Sequence, residues 1–345
     1  MEMDPLVMKV KLKDVVRERV LPFLPAKSLL RFMSVSKEWK GWINSPLLAF
    51  HQSHYFNKLS GFFAQTQTTD PTFITLDASA YGVAMPNLRF LPEPVHIATS
   101  CSGLLVCLGR ESDSYYICNP ASKAWAPLPQ PLLYHQYGAR AILAFEPSAR
   151  NIEQRYQLIC AVPLPGGELS FELYSSATKS WTVLNTTLPD MENLRMIGNG
   201  LYMKGVAYWL TDAGMVIAYD VERELHDLIP VESSDGVLAQ MAGELCYITM
   251  SHLTGSRYKI MIHGGMDLSL KRCLEISIGE IDPWFRVLSC VDGETVMILF
   301  EDWIYSYSIS DGNLEAKTRV GIGSVSADNN YLPYVNTLVQ VEGVW

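Results

Sequence analysis

Ser102-Gly103-Leu104-Leu105-Val106, then Tyr115-Tyr116-Ile117-Cys118-Asn119-Pro120, then Trp125 and Leu128-Pro129: this stretch decides the fold, because it recurs in altered form along the chain. A second copy has Phe171-Glu172-Leu173-Tyr174-Ser175, Lys179-Ser180-Trp181 and Val183-Leu184. A third has Gly200-Leu201-Tyr202, Val206-Ala207-Tyr208-Trp209-Leu210 and Ile217-Ala218-Tyr219-Asp220-Val221. A fourth begins Gly243-Glu244-Leu245-Cys246-Tyr247-Ile248, and a fifth has Gly293-Glu294-Thr295-Val296 and Ile304-Tyr305-Ser306-Tyr307. The theme is a glycine, an apolar strand, a short loop, a second apolar strand ending in Tyr, Asn or Asp, then Trp or Leu. It returns roughly every forty to fifty residues, the length of a propeller blade. Each unit is a small antiparallel sheet with two faces it cannot cover alone; radial packing buries those faces and protects the edges. The expectation is a β-propeller of six or seven blades, with a large irregular β-sandwich as the competing architecture. Tyr331-Leu332-Pro333-Tyr334 followed by Leu338-Val339-Gln340-Val341 reads as the closing strand, paired within residues 60–76. Trp125 and Trp181 hold equivalent positions in the repeat and read as wedges between blades.

The rest of the chain after residue 60 agrees. Short β-prone runs such as Gly61–Ala64, Tyr156–Val162 and Tyr258–Ile262 are separated by turn formers such as Gly166-Gly167, Asp235-Gly236, Gly264-Gly265 and Asp311-Gly312, with no long helical pattern. Residues 9–50 differ. Leu29, Leu30, Phe32, Met33, Val35, Trp39, Trp42 and Ile43 recur at helical spacing of three and four, and Pro22 and Pro25 break the helix before them. Ser28 is a candidate cap for a helix begun at Leu29, and Pro46 ends the last helix or begins another turn. So few residues cannot hold a large core, so this unit should lean on a partner or on the next domain, and some of its apolar surface should serve docking. The expected division is a helical domain over 9–55 and a β domain over 60–345.

Composition narrows the function. Of 345 residues, 48% are apolar and 18% charged, with 17 Tyr and 8 Trp, so an ordered core is expected. The formal net charge of −9 disfavours nucleic acid and anionic membranes as partners. The seven cysteines include no CxxC pair, and no secretory leader is read, which together fit a reducing compartment. No apolar run reaches the ~20 residues of a membrane span. The seven histidines are scattered, with no HxH or HExxH, and there is no GxSxG or P-loop pattern. Neither catalysis nor a metal or other cofactor is expected.

The helical unit resembles an F-box. The match runs from Leu12 through Val20-Leu21-Pro22-Phe23-Leu24-Pro25-Ala26-Lys27-Ser28-Leu29, then Arg31-Phe32, Val35-Ser36-Lys37, Trp39, Ile43, Pro46 and His51. Ser36 stands where the family usually has Cys, and Leu12-Lys13 replaces its usual opening Leu-Pro. The remainder resembles the plant F-box-associated or kelch-like class on Ser102-Gly103-Leu104-Leu105, Asn119-Pro120, Lys123, Trp125, Leu128-Pro129, Trp181 and Gly205–Leu210, although Gly166-Gly167 and Gly264-Gly265 fall out of step with a kelch repeat. The fold implied is a small all-α F-box head plus an all-β, kelch-like propeller. The function implied is a substrate-recognition subunit of an SCF-type (Skp1–cullin–F-box) E3 ubiquitin ligase. It would work in the nucleus or cytoplasm, binding a plant Skp1-like adaptor of the ASK type and through it cullin-1 and a RING subunit.

For adaptor docking the candidates are Leu21, Pro22, Leu24, Pro25, Leu29, Phe32, Val35, Trp39 and Ile43, the alternative being that Leu24, Phe32 and Val35 form the unit's own core. Propellers bind across loops at one end, which points to Tyr134, His135, Tyr137, Arg140, Arg195, His252 and Trp303 as target contacts, the alternative being that Tyr137 and Trp303 pack between blades. A second function stays open: a non-degradative F-box interaction protein, or a small-molecule receptor that uses the propeller as its binding module.

Overall fold

A computed structural model describes residues 12–341 apart from 56–57, 67, 77–87, 136–138, 147, 149, 192–193, 280–283 and 322–328. Four short helices come first: α1 (Leu12–Arg19), α2 (Ala26–Phe32), α3 (Lys37–Ile43) and α4 (Pro46–Tyr55), with a 3-10 turn over Leu21–Phe23. The prolines set these boundaries. Pro25 precedes α2, so Ser28 lies inside that helix and is not its cap. The serine that caps is Ser36, whose Oγ accepts the Trp39 amide at 3.1 Å and starts α3. Pro46 opens α4 at a position whose amide needs no partner.

Six antiparallel sheets follow in a ring. Blade 1 pairs Gly61–Gln65 with Thr72–Thr75 on one side and with Asn330–Tyr334, from the far end of the chain, on the other. Blade 2 spans Val95–Pro127, blade 3 Arg140–Leu188, blade 4 Met196–Pro230, blade 5 Val237–Ser277 and blade 6 Phe285–Arg319, each a four-stranded up-and-down meander. The innermost strands contact one another in sequence around an axis, and Asn330–Tyr334 touches both Val95–Cys101 and Phe285–Val291 to close the circle. Six apolar clusters lie one between each pair of neighbouring blades, as the repeat requires. Trp181 is one of the wedges: its ring packs 5.9 Å from that of Tyr115 in blade 2, and its Nε1 donates to the Pro129 carbonyl at 2.7 Å.

The repeat is written in its turns. Where the innermost strand reverses, Ser102-Gly103, Lys204-Gly205 and Ala242-Gly243 form two-residue hairpins with both residues at positive φ, the geometry that matches strand twist, and Asp292-Gly293, also both at positive φ, begin a three-residue loop. Lys123, Lys179, Glu224 and Leu268 take the same left-handed conformation just before the outermost strand of blades 2 to 5. Gly166-Gly167 and Gly264-Gly265 sit in turns on opposite faces of the ring, which is why they fall out of step.

Closure differs in one respect from the expectation. Tyr331–Tyr334 lies in the closing strand, but Leu338–Val341 is not a strand; it runs on, buried, between ring and helices. Gly103 shows how tightly: at φ +91°, an added Cβ would lie 1.9 Å from Thr337 Oγ1. Gly103→Ala should therefore lower stability by about 1–3 kcal/mol, read as a lower thermal midpoint.

Candidate functional site

The segment 335–341 joins the helical head to one end of the ring. Asn119 Nδ2 donates to the carbonyls of Thr337 (3.0 Å) and Val339 (2.7 Å). The amides of Asn336, Leu338 and Gln340 donate to Ser60 Oγ, Gln52 Oε1 and Gln154 Oε1 at 2.9, 3.0 and 2.6 Å. Gln340 also donates to the Asn44 carbonyl of the head. The Leu338 side chain completes the head's core with Leu21, Ala26, Leu29, Ile43, Leu48 and Ala49. A head too small for its own core thus borrows one residue from the C-terminal segment, and that segment is pinned by loops of blades 2 and 3.

This core redistributes the residues expected to dock a partner. Leu21, Leu29 and Ile43 are at most 2% exposed, and Pro22 is buried. Leu21, Leu29 and Ile43 belong to the cluster that holds the helices together. Leu24, Pro25, Phe32 and Trp39 are half-buried, with Phe32 edge-on to Trp39 at 5.6 Å. Val35 is 60% exposed. The docking candidates left out Leu12, Val20, Phe23 and Leu47, all exposed large apolar residues of the head. Leu47 and Trp42 line a groove of about 650 Å³ with Pro22 and His51. These side chains leave apolar surface bare on a small unit.

The far end of the ring is where the innermost strands begin. It gathers most of the residues expected to meet a target. Tyr134 is 70% exposed and Leu132 66%. Arg195 and His252 are exposed, and Trp303 is 36% exposed. His252 Nε2 bonds the Gly255 carbonyl at 2.8 Å, and the Arg195 amide donates to Asp212 Oδ1 at 3.0 Å. Tyr137 lies outside the described residues.

His135 has a different role: it is buried, its Nδ1 is 2.9 Å from Tyr115 Oη and its Nε2 is 2.8 Å from Glu172 Oε2. Glu172, wholly buried, also accepts the Leu132 and Leu133 amides at 2.6 and 3.2 Å. Residues 132–135 are therefore tied down from beneath, with the Leu132 and Tyr134 side chains exposed above them. Glu172 was hidden in the sequence because one acidic residue in an otherwise apolar strand carries no periodic signal.

Arg140 is largely buried and donates through Nε to the Met196 carbonyl at 3.1 Å; burial lowers its pKa. It lines a cavity of about 170 Å³ with His96, Arg110, Tyr115 and Asp113. Burial first, then repulsion by Arg140 and Arg110, pushes the His96 pKa down to about 4, with a bond to the Thr66 backbone opposing them. Along the axis lies a cavity of about 510 Å³. It is bridged where the bulged first strand of blade 4 lets Asn199 Nδ2 donate to the Tyr331 carbonyl at 2.8 Å.

Comparison with known proteins matches the helices and the first half of the ring separately. An F-box domain model covers residues 14–51, and an F-box associated beta propeller domain model covers residues 84–242. The chain is an F-box protein with an F-box-associated propeller. Curated relatives in Arabidopsis thaliana span both parts. F-box protein At5g49610 is 24% identical over 85% of this chain and 87% of its own length, and F-box protein At5g07610 is 23% identical over 91% and 78%. For F-box protein At5g03970 the figures are 23% identity over 65% of this chain, which spans 58% of that relative. A solved chain of a nidogen/laminin complex gives a TM-score of 0.45 at 10% identity over 79% of this chain and 95% of its own.

An F-box joined to this kind of propeller is the architecture of SCF-type substrate receptors, whose two modules are non-catalytic. The F-box implies a Skp1-type partner in an SCF complex. Among the described residues, no group of three or more His, Cys, Asp or Glu is placed to hold a metal.

Two outcomes test the geometry of the far end. Glu172→Ala leaves the Leu132 and Leu133 amides and His135 Nε2 without their acceptor and should cost on the order of 2 kcal/mol in denaturant unfolding, with residues 131–135 opened to protease. The imidazole of His96 takes its proton only near pH 4 when folded, against 6.5 when unfolded, so the unfolded state binds the proton first as pH falls. Its share of stability is complete above 6.5 and lost towards 4, roughly 3 kcal/mol in all. His96→Gln should flatten that part of the stability–pH curve.

Proposed function

We propose that this chain is the substrate-recognition subunit of an SCF-type E3 ubiquitin ligase, acting in the nucleus or cytosol. The F-box would seat on a Skp1-like adaptor, and through it on cullin-1 and the RING subunit, while the far end of the propeller holds a target protein. The carrying observation is the division of the two ends. One is covered by the head and the buried 335–341 segment; the other is free of them and displays Leu132, Tyr134 and the Arg140 cavity. A receptor of this kind does no bond-making chemistry. It raises the effective concentration of a target near the charged E2 and fixes its orientation, which needs a head that does not swing against the body.

On the adaptor side the contact would fall to the exposed and half-buried residues Val35, Phe32, Leu24, Pro25 and Trp39, extended by Phe23 and Leu47. Leu21, Leu29 and Ile43 would support that surface from within.

Co-purification tests the proposal. The wild-type chain should bring down the adaptor together with cullin. Val35→Asp combined with Leu47→Asp should cut adaptor affinity more than ~tenfold while the thermal midpoint stays within a few degrees, because both side chains are solvent-facing. Leu21→Asp should instead unfold the head. An adaptor that binds the double variant as tightly as the wild type would overturn the docking assignment, and an adaptor complex that never contains cullin would overturn the ligase assignment.

A further inference from the structure

The innermost strands of the ring are of two kinds. In blades 2, 4 and 6 the pairing slips, between Ile97 and Thr99, Ile197 and Leu201, and Val287 and Ser289; in blades 1, 3 and 5 it runs unbroken. A bulge leaves a residue out of the ladder, bends the strand and re-aims its side chains. Residues at all three bulges line the axial cavity of about 510 Å³: Thr99 and Ser100, Gly198-Asn199-Gly200, and Leu288 and Ser289. Alternate blades thus open the axis to a volume that suits one small molecule.

The walls differ from those of a plain solvent channel. Ile197, Leu201, Val237 and Leu288 supply apolar surface. Arg286, near the start of its strand, is half-buried; its Nη1 donates to the Asn329 carbonyl at 2.7 Å, and its guanidinium carbon lies 6.0 Å from the centre of the Tyr331 ring. Burial lowers its pKa despite the charge of Asp235, an exposed residue, and among the described residues no carboxylate is ion-paired with it. Asp292, also on the wall, is six residues further on, about 20 Å of extended chain. Ser289 Oγ is buried and has no hydrogen-bond partner among the described residues. Arg286 and Ser289 are three apart in sequence, yet the bulge sets them opposite Leu299 and Met297, which are two apart, so both project from one face of the sheet. The Cys290 thiol beside them is pushed up to about 12, by burial above all, so it stays protonated and the wall offers binding groups rather than a nucleophile.

We propose that the axial cavity binds a small organic monocarboxylate, its carboxylate held by Arg286 and Ser289 and its apolar body lodged against the innermost strands of blades 4 and 5. This goes beyond the receptor reading, since it needs neither adaptor nor target. A guanidinium kept partly out of water without a counter-charge is costly, as is a buried hydroxyl without a partner, and both costs are recovered when an anion arrives. With one nitrogen committed to Asn329, a single guanidinium matches the two oxygens of a carboxylate, and the Ser289 hydroxyl adds a further donor.

The test is affinity selection on the full chain. The probe is a panel of small monocarboxylic acids with aromatic or branched aliphatic bodies, each paired with its primary amide; retained compound is counted by mass spectrometry after gel filtration. At least one acid should be retained ~tenfold or more over its amide, the worth of a charge-assisted bond. Arg286→Gln should erase that difference, and Arg286→Lys should weaken it by losing the fork while keeping the charge. Ser289→Ala should weaken it roughly fivefold. Arg272→Gln, exposed on the outermost strand of blade 5, should leave it unchanged. Hydrogen–deuterium exchange with the retained acid should slow within Met196–Met203 and Phe285–Val291. If every acid is retained no better than its amide, the proposal is overturned and the axis is a solvent channel. A difference that survives both Arg286→Lys and Ser289→Ala in full also overturns it, and decides the matter if Arg286→Gln melts early. So does protection that appears only outside the innermost strands. Loss of adaptor or cullin binding, which sinks the receptor reading, leaves these outcomes untouched.

Discussion

The arrangement depends on one buried segment. Residues 335–341 leave the closing strand, and their carbonyls and amides are taken up by Asn119, Ser60, Gln52 and Gln154. Buried backbone that forms neither helix nor sheet must find side-chain partners, and here each partner comes from a different part of the chain: blade 2, the approach to blade 1, helix α4 and the loop after the first strand of blade 3. Leu338 then enters the head. The last part of the chain therefore helps to close the ring, to complete the F-box core and to fix their relative placement at once.

That constraint gives the molecule two unlike ends. At the head end, apolar side chains divide between a core that needs Leu338 and an outward set headed by Val35, Phe23 and Leu47. At the far end, rigidity comes from polar atoms: Glu172 and His135 tie down a loop, and Arg140 anchors to Met196 at the edge of a cavity. For a receptor, stiffness between the ends is what turns two binding events into one geometry.

The ring was legible because its turns and strands repeat. Ser102-Gly103, Ala242-Gly243 and Asp292-Gly293 announce tight hairpins, and the apolar runs beside them can only be sheet interiors. The number of blades was not, because blade 1 is assembled from both ends of the chain and leaves no repeat unit to count. Leu338–Val341 looked like a strand because a run buried on all sides has the same composition whether it pairs with a strand or with side chains. In the head, helical spacing separated apolar from polar positions. It could not tell Leu21, which faces Leu338, from Val35, which faces out, since that depends on a contact more than 300 residues away in sequence. His135 and Arg140 were found as residues but not as roles: one locks a loop and the other lines a cavity, and only the packing of blade 3 against blade 2 distinguishes them.

Hydrogen–deuterium exchange of the full chain, alone and bound to a Skp1-like adaptor, tests the central claim most directly. The account predicts that the amides of Asn336, Leu338 and Gln340 are already strongly protected in the free chain, and that the adaptor adds protection only within α1 to α4, leaving loop 128–139 unchanged. Rapid exchange across 335–341, or new protection at the far end on adaptor binding, would contradict it.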